Sequence, residues 1–558
     1  MYIAGDGVPT ESVLRARVCI VGAGPAGLTL ADDLAREGID VLVIEAGSRT
    51  PPAGGSPYDS TTNVGTSYPL NETRVRGVGG SANHWDFIDV LGVPSLRLHE
   101  LDELDFAARP GVRDLGWPFG LSELQAGYRQ ARELFGVPPS AYEGQPGGQD
   151  AVERRSYAYG LASTFTRDVP ERLDDRPNVR VVTDAVVTDV RTDVARDTVS
   201  SLRCCAPSGT RFTVEATVYV LAGGGLENAR LLLASRSTAP EGLGNTSDHV
   251  GRWFNEHPHH GSAVVVPRAG HLEQDLPAWT FYRVGERVAH TMYALSQSCL
   301  ETEGLLNSAF FLTLRPPSRP VALTSDGHVD DAAMVSLRSL RDTLETRRWG
   351  PGTARQIGRL LTVAPHLVRG AVQQSSAQRA VAAGRSPRSP RILTLNSMNE
   401  QQPQRDSRLR LTPRFDRFGV PEAELDWRVS PLDLVSMQRT VSQAAPGLAR
   451  LLGASVHSLL GVEQLPAVTH GYHHMGTTRM TSSARDGVVD PDSRVHGVRN
   501  LFVTGSSVFP SSGAANPTLT IVTLALRLGA LLRSELAEPL GRAGASAGLA
   551  SPGPERQL

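Results

Sequence analysis

A strand–turn–helix–strand unit near the amino terminus constrains the fold more than any other feature of this 558-residue sequence. The apolar run Val18–Val21 leads into Gly22-Ala23-Gly24-Pro25-Ala26-Gly27, a stretch with helical spacing follows, and a second apolar run, 41–44, ends at Glu45. In dinucleotide-binding loops the first glycine allows a tight turn, the second lets the backbone approach a pyrophosphate, and the third permits close helix–strand packing. The N–H groups of the helix N-terminus then face the phosphates. The unit predicts dinucleotide binding, and the carboxylate of Glu45, suited to two ribose hydroxyls, favours FAD or NAD over NADP.

Length and composition limit the classes of protein to which this chain can belong. At roughly 150 residues per domain, the chain predicts two domains. The 56 basic and 58 acidic residues leave a formal net charge of −2, so no global basic field indicates nucleic-acid binding. Every basic residue is arginine, which excludes Schiff-base chemistry and a P-loop lysine. Residues 1–15 carry no signal-peptide pattern, and no apolar run is long enough to cross a bilayer. We therefore expect a soluble cytoplasmic protein without an integral membrane segment.

A second glycine-rich segment runs from Arg74 to Trp85 and reads Arg-Val-Arg-Gly-Val-Gly-Gly-Ser-Ala-Asn-His-Trp. Its glycines beside two arginines predict a loop that presses its backbone against a charged cofactor. The same pattern is also typical of a surface loop with solvated arginines, and His84 also fits a packed histidine. The segment alone leaves these alternatives open.

A third constellation lies near the carboxyl terminus. Residues 471–480 read Gly-Tyr-His-His-Met-Gly-Thr-Thr-Arg-Met, and a strand-like run, 501–504, precedes Gly505-Ser506. Asn516-Pro517-Thr518 then opens a helix that extends to about Leu536. Proline is favoured in the first turn of a helix. The helix N-terminus is therefore predicted to direct Asn516 and nearby N–H groups at an anion in front of it.

In this order, the segments resemble the glucose–methanol–choline (GMC) family of FAD-dependent oxidoreductases. The resemblance covers about Arg17 to Leu536, and it includes further matching segments at 117–118, 178–181, 220–224, 227–230, 250–258 and 400–403. It implies an α/β fold in which a Rossmann-type FAD-binding domain carries an inserted α+β substrate domain built on an antiparallel sheet. We expect the FAD-binding domain to comprise residues 14–260 and 465–536, the substrate domain to comprise 261–464, and residues 537–558 to form a disordered tail.

The resemblance also implies which residues hold FAD. Val187 would meet the adenine through its backbone, and the other implied cofactor residues are Gly22, Ala23, Gly24, Ala26, Gly27, Glu45, Ala46, Arg76, Gly79, Gly80, Ser81, His84, Gly505, Ser506, Asn516, Pro517 and Thr518. The spacing Gly-Gly-x-x-x-His-Trp resembles the pyranose oxidase and choline oxidase branches, in which this histidine carries the flavin covalently. Asp86 stands where pyranose oxidase has threonine. FAD is therefore expected, with a bond through His84 left open.

The implied catalytic pair is His473 and Asn516. An alcohol releases hydride to flavin N5 more easily as its hydroxyl proton leaves, and histidine accepts a proton near neutral pH. Asn516 would hold the same oxygen in place. His474 is expected to point away and pack. The predicted reaction is oxidation of a secondary hydroxyl of a sugar or glycoside to a ketone. The alternatives are another alcohol (choline-like, polyol, sterol or natural-product intermediate) or an inactive FAD-binding scaffold.

Other features predict less. His249, His257, His259 and His260 lie close in sequence but lack a suitably spaced carboxylate, so we expect a structural or surface role and no metal. Residues 331–390 hold ten arginines and three acidic residues, which predicts solvated helices or, alternatively, a docking face, a lid or a membrane-surface segment. The expected partners are a small alcohol, most simply a carbohydrate, and an electron acceptor that is oxygen, a quinone or a carrier protein.

Overall fold

The computed structural model describes residues 1–51, 61–70, 73–85, 87–88, 94–107, 109, 112, 114, 116–142, 148–267, 281–285, 287–314, 393–459 and 468–537. The strands are β1 (Tyr2–Ala4), β2 (Val13–Val21), β3 (Val41–Ile44), β4 (Thr61–Asn63), β5 (Phe87–Ile88), β6 (Pro94–Leu98), β7 (Gly148–Gln149), β8 (Val152–Leu161), β9 (Val179–Thr183), β10 (Val186–Thr192), β11 (Val199–Cys205), β12 (Arg211–Leu221), β13 (His259–Pro267), β14 (Phe281–Val284), β15 (Arg287–Leu295), β16 (Ser308–Leu314), β17 (Leu393–Asn399), β18 (Arg408–Phe415), β19 (Pro421–Asp426), β20 (Ala454–Ser458) and β21 (Leu501–Val503). The α-helices are α1 (Pro25–Arg36), α2 (Glu103–Phe106), α3 (Gln125–Leu134), α4 (Val169–Asp174), α5 (Gly224–Ala234), α6 (Gln297–Glu303), α7 (Pro431–Leu451) and α8 (Thr518–Ala537).

The first sheet carries the amino-terminal glycine unit. Its order is β1-β9-β3-β2-β12-β11-β10, with β21 also paired to β12. Strands β1, β9, β3, β2, β12 and β21 pair in parallel, whereas β10, β11 and β12 pair antiparallel. The continuous apolar run of β3 is buried on both faces, as is usual in parallel sheets covered by helices. Helix α1 connects β2 to β3 and packs against α8. The amino-terminal and carboxyl-terminal segments of the chain therefore meet beside the first sheet.

The second sheet is antiparallel and lies along the order β20-β13-β17-β16-β15-β8-β6-β5, with β14 paired to β15 and β7 to β8. Helix α7 covers it, and Val441 and Leu448 of that helix share a buried cluster with Tyr293 and Phe310 of the sheet. Ser430 caps α7 by accepting a hydrogen bond from the N–H of Asp433, whose own carboxylate accepts the Ser430 N–H. This reciprocal capping box defines where the helix starts.

The predicted fold class is confirmed, but strand pairing adds detail. The alternating apolar pattern of residues 408–411 predicts a strand of the antiparallel substrate-domain sheet; β18 instead pairs with β19, and β19 with β4, in a separate three-stranded sheet. Strands β5 to β8 lie within residues 14–260, which the family resemblance assigns to the FAD-binding domain. Their backbone hydrogen bonds nevertheless place them in the second sheet. The domain boundaries themselves stay a prediction. The segment 331–390 and residues 538–558 lie outside the described residues. Across the described helices, none combines the length and apolar character that crossing a bilayer requires.

Candidate active site

The amino-terminal glycine loop folds as a turn that only glycine allows at two positions. Gly22 has φ of 109°, and a Cβ there would lie 2.6 Å from the carbonyl oxygen of Ala222. A Cβ on Gly27 would lie 1.9 Å from the carbonyl oxygen of Gly22. Helix α1 begins just after Gly24, with Pro25 in its first turn. The loop therefore presents bare backbone and a helix N-terminus to the space in front of it.

Glu45 lies directly after β3 and holds this loop from behind. One carboxylate oxygen accepts the Ala23 N–H at 2.7 Å, and the other accepts the Gly47 N–H at 2.9 Å. Burial raises the pKa of Glu45, while these N–H groups act against that rise. The Gly77 N–H is a third backbone donor to this carboxylate, and contact with a ribose stays a prediction.

The second glycine segment packs against the first. Gly79 donates its N–H to the Ala23 carbonyl at 2.8 Å, and a Cβ on Gly80 would lie 2.9 Å from the Gly24 Cα. A short 3-10 helix, Gly80–His84, follows and brings His84 into the same wall. Two glycine loops in backbone contact form a cradle that side chains would fill.

The arginines of the second segment are neutralised by an acidic partner. Arg74 and Arg76 lie 2.8 and 3.2 Å from the Glu227 carboxylate. Burial favours the neutral acid, but Arg76, Arg230 and Arg74 together hold the pKa of Glu227 well below its usual range. The alternative of a solvated surface loop therefore does not apply to these side chains.

A cavity of about 440 Å³ brings the predicted site residues together. Its wall includes both glycine loops, Val187, the His473–His474 segment and the start of α8. Of the predicted residues, those in the wall are Gly22, Gly24, Ala26, Glu45, Ala46, Arg76, Gly80, Ser81, His84, Val187, His473, Gly505, Ser506, Asn516, Pro517 and Thr518. Ala23, Gly27 and Gly79 are absent from that wall and lie in the backbone packing behind it.

His473 is linked to two neighbours through its two ring nitrogens. Its Nδ1 lies 2.7 Å from Nδ1 of His257, and its Nε2 lies 3.4 Å from the amide nitrogen of Asn516. His257 in turn directs its Nε2 at the carbonyls of Ser512 and Gly513, at 3.1 and 2.9 Å. The three side chains form one hydrogen-bonded row that ends at the cavity.

The carbonyls at one end determine where the protons lie in this row. A carbonyl can only accept, so Nε2 of His257 carries the proton, and burial lowers the pKa of His257 to about 4, which keeps it neutral. Nδ1 of His257 must then accept from Nδ1–H of His473. The remaining nitrogen of His473, Nε2, consequently keeps its lone pair beside Asn516.

The backbone of His473 is held by a buried carboxyl group. Both oxygens of Glu256 accept the His473 N–H, at 3.0 and 2.9 Å, and the Tyr68 hydroxyl donates to the same group. Burial raises the pKa of Glu256 to about 8. Glu256 therefore positions the loop that carries His473.

The electrostatic surroundings keep His473 neutral. Burial lowers its pKa well below the usual value, and His257, His259 and Arg97 act in the same direction. A neutral imidazole whose Nε2 keeps its lone pair, here facing the Asn516 amide, can accept a proton. His474 is different: its Nε2 lies 3.0 Å from the Thr73 hydroxyl, and its ring packs beside Phe254.

Glu256, His257 and His473 are close enough to resemble a metal-ligand set. Two nitrogens bound to one tetrahedral zinc at about 2.1 Å would be roughly 3.4 Å apart, whereas these are 2.7 Å apart. The separation matches a hydrogen bond, and Glu256 is already occupied by donors.

The histidine cluster, expected to have a structural or surface role, lies largely in the interior. His249 and His260 are buried, with His249 hydrogen-bonded to the Arg485 carbonyl. His257 is fully buried and contacts the predicted catalytic residue. Sequence reasoning missed His257, although its Glu-His-Pro segment already matched the family pattern.

Comparison with known proteins gives matches along the chain. The GMC oxidoreductase family profile matches residues 403–525, and an FAD-binding domain profile matches residues 15–60. The fructose dehydrogenase large subunit of Gluconobacter japonicus is 24% identical over 94% of this chain and 99% of its own length. Paromamine 6′-oxidase of Streptomyces fradiae is 24% identical over 93% of this chain and 91% of its own.

A solved structure has the same fold. The crystal structure of pyridoxine 4-oxidase from Mesorbium loti superposes with a TM-score of 0.53 at 16% identity, covering 93% of this chain and 99% of that one. At this identity the likeness concerns the fold. It extends over both sheets, since nearly the whole chain is covered.

Proposed function

The chain is a member of the GMC oxidoreductase family, and from that premise we propose that it oxidises a secondary hydroxyl of a sugar or glycoside to a ketone, with His473 as the base. It is an FAD-dependent enzyme that acts on CH–OH donors.

The cavity wall fits FAD. Gly22, Gly24 and Gly80 present bare backbone to the cavity, and a Cβ on Gly22 or Gly80 would collide with other backbone; α1 begins at the edge of this wall. Glu45 and Val187 lie in the same wall, suited to the adenosine half, and Pro517 and Thr518 lie where α8 begins. When bound, FAD supplies the acceptor for the hydride.

The observation that carries the proposal is the lone pair on Nε2 of His473. Because His257 accepts from Nδ1–H of His473, the basic nitrogen is the one beside the cavity. A substrate hydroxyl there gives its proton to Nε2. The hydrogen bond from Nδ1–H of His473 to His257 then stabilises the positive charge on the His473 ring. His257 thus acts as a positioning residue in this proposal.

Asn516 orients the same hydroxyl. Its amide N–H₂ faces Nε2 of His473, and its amide oxygen is buried without a hydrogen-bond partner among the described residues. An unsatisfied buried acceptor is costly unless another molecule supplies a donor. A second hydroxyl on the carbon next to the reacting one would do so, which favours vicinal diols such as sugars.

We also propose that His84 carries the flavin and that the substrate is a carbohydrate. His84 lies in the cavity wall at the end of its 3-10 helix, which suits a bond to the flavin. Both nearly full-length relatives carry names that refer to fructose and paromamine, which supports a carbohydrate. The re-oxidising acceptor, among oxygen, a quinone and a carrier protein, stays open.

An anaerobic substrate panel tests the proposal. Purified yellow protein is mixed without oxygen with sugars, glycosides, polyols and choline, and the flavin absorbance is followed. Bleaching by sugars or glycosides, with a ketone in the product, is expected. Bleaching only by another class would overturn the substrate proposal. If dithionite alone bleaches the protein, the inactive-scaffold alternative is correct.

A further inference from the structure

Arg97 lies in strand β6 at the histidine end of the cavity. Its guanidinium carbon lies 4.6 Å from the centroid of the Phe311 ring, and Nη1 lies 3.9 Å from the sulfur of Met292. Phe311 also contacts the ring of His290. Arg97 is therefore held over an aromatic face of the second sheet, with its edge N–H groups left for another partner.

The pairing of Arg97 differs from that of the other charged residues in the wall. Arg74, Arg76 and Arg230 contact Glu227, and Glu45 accepts backbone N–H groups. Among the residues that the structure describes, Arg97 makes no ion pair. Half-buried cations in a cavity are normally paired, so an unpaired one indicates a charge that arrives with a bound molecule.

The position of this charge is the catalytic end rather than the ADP end. Arg97 is one of the groups whose charge lowers the pKa of His473, His257 and His259. Arg74 and Arg76, by contrast, are neutralised by Glu227 in another part of the wall. Arg97 and His473 line the same cavity, so an anion beside Arg97 would share that cavity with Nε2 of His473.

We propose that Arg97 binds a carboxylate of the substrate, so that the preferred substrate is an acidic sugar, an aldonate or a uronide, oxidised at a hydroxyl near His473. The inference rests on the proposed function and specifies its substrate class. A guanidinium offers two parallel N–H donors that match the two oxygens of a carboxylate. Because Phe311 covers one face of the guanidinium, an in-plane partner at its edge is favoured.

The alternative to a substrate site is that the charge of Arg97 stabilises the reduced flavin. In that case its removal would slow reduction by neutral and acidic substrates alike. A phosphate is a second possible anion, and it differs from a carboxylate in size and charge. Both alternatives give results that differ from those of a carboxylate site.

The test compares matched substrate pairs on the flavin-loaded enzyme. The pairs are glucuronate with glucose, galacturonate with galactose, and gluconate with sorbitol, and glucose 6-phosphate is the phosphate arm. Anaerobic flavin reduction gives a limiting rate and an apparent dissociation constant for each. The variants are Arg97→Met, which keeps the length without the charge, Arg97→Lys, and the exposed Arg203→Met as a control.

In the wild type, each acid should have a lower apparent dissociation constant than its neutral partner. Loss of a charge-assisted pair should raise that constant by about 10- to 100-fold in Arg97→Met, with a much smaller change for the neutral partner. Arg97→Lys should restore part of the difference, and Arg203→Met should leave it intact.

Three results would overturn the inference without touching the proposed function. These are equal or tighter binding of the neutral partners, equal losses for both members of each pair in Arg97→Met, and preference for the phosphate arm. If no sugar, acidic or neutral, reduces the flavin, the proposed function itself fails. The two failures are thus distinguishable.

Discussion

Replacing His257 removes the acceptor for Nδ1–H of His473, and the structure determines how large the loss should be. His257→Asn keeps an acceptor near the position of Nδ1, whereas His257→Gln keeps only a donor toward the carbonyls of Ser512 and Gly513. The two amides have similar polarity. A difference between them therefore reports on the tautomer of His473 rather than on burial.

A buried donor left without a partner costs about 1–3 kcal/mol, which corresponds to a rate loss of about 5- to 150-fold at about 1.4 kcal/mol per tenfold. Glu256 Oε1 lies 3.8 Å from Nδ1 of His473, beyond hydrogen-bond distance, and already accepts backbone N–H groups. We therefore expect His257→Gln to lose about 5- to 150-fold. His257→Asn should lose less than Gln.

The assay is anaerobic stopped-flow reduction of the flavin by a saturating sugar, from about pH 5 to about pH 9. Because His257 contacts Nδ1 of His473, its replacement by Gln should shift the acid limb of the rate profile. FAD content and thermal stability serve as controls for folding. Equal rates for Asn and Gln, together with an unmoved acid limb, would refute the proton assignment.

Three further outcomes are expected. Because the pKa of His473 lies well below 6.5 and its neutral form is the base, flavin reduction in the wild type should be constant above about pH 7 and fall only on acidification; a rate that first rises above pH 7 would contradict this. Gly27→Ala should abolish FAD retention, since its Cβ would lie 1.9 Å from the Gly22 carbonyl, and yellow protein at normal yield would contradict it. Acid precipitation should leave the flavin on the pellet with a modified His84 peptide by mass; colour wholly in the supernatant with an unmodified peptide would show that no bond forms.

Sequence reasoning reached the features that depend on local backbone geometry. Gly22 and Gly27 occupy positions where a side chain would collide with the backbone, so their spacing carries a fold signal on its own. The strand that ends just before Glu45 is apolar throughout, which is the pattern of a parallel strand covered on both faces. Motif order then indicated the family.

Features that depend on contacts between distant segments were not accessible in the same way. His257 and His473 are 216 residues apart, and only the folded chain shows their hydrogen bond. Arg97 lies outside every sequence motif, and only the folded cavity shows that no described acidic residue pairs with it. Strand β18 joins a separate sheet because its partner is β19, a pairing that alternation alone does not predict.

The most direct test of the account is the anaerobic reduction rate of His473→Ala beside that of His474→Ala. His473 carries the unprotonated Nε2 at the cavity, whereas His474 is hydrogen-bonded to the Thr73 hydroxyl and packs beside Phe254. His473→Ala should retain FAD and reduce it about 10²- to 10⁴-fold more slowly, and His474→Ala should lose far less. Near-normal reduction in His473→Ala, with the large loss in His474→Ala, would contradict the assignment of the base.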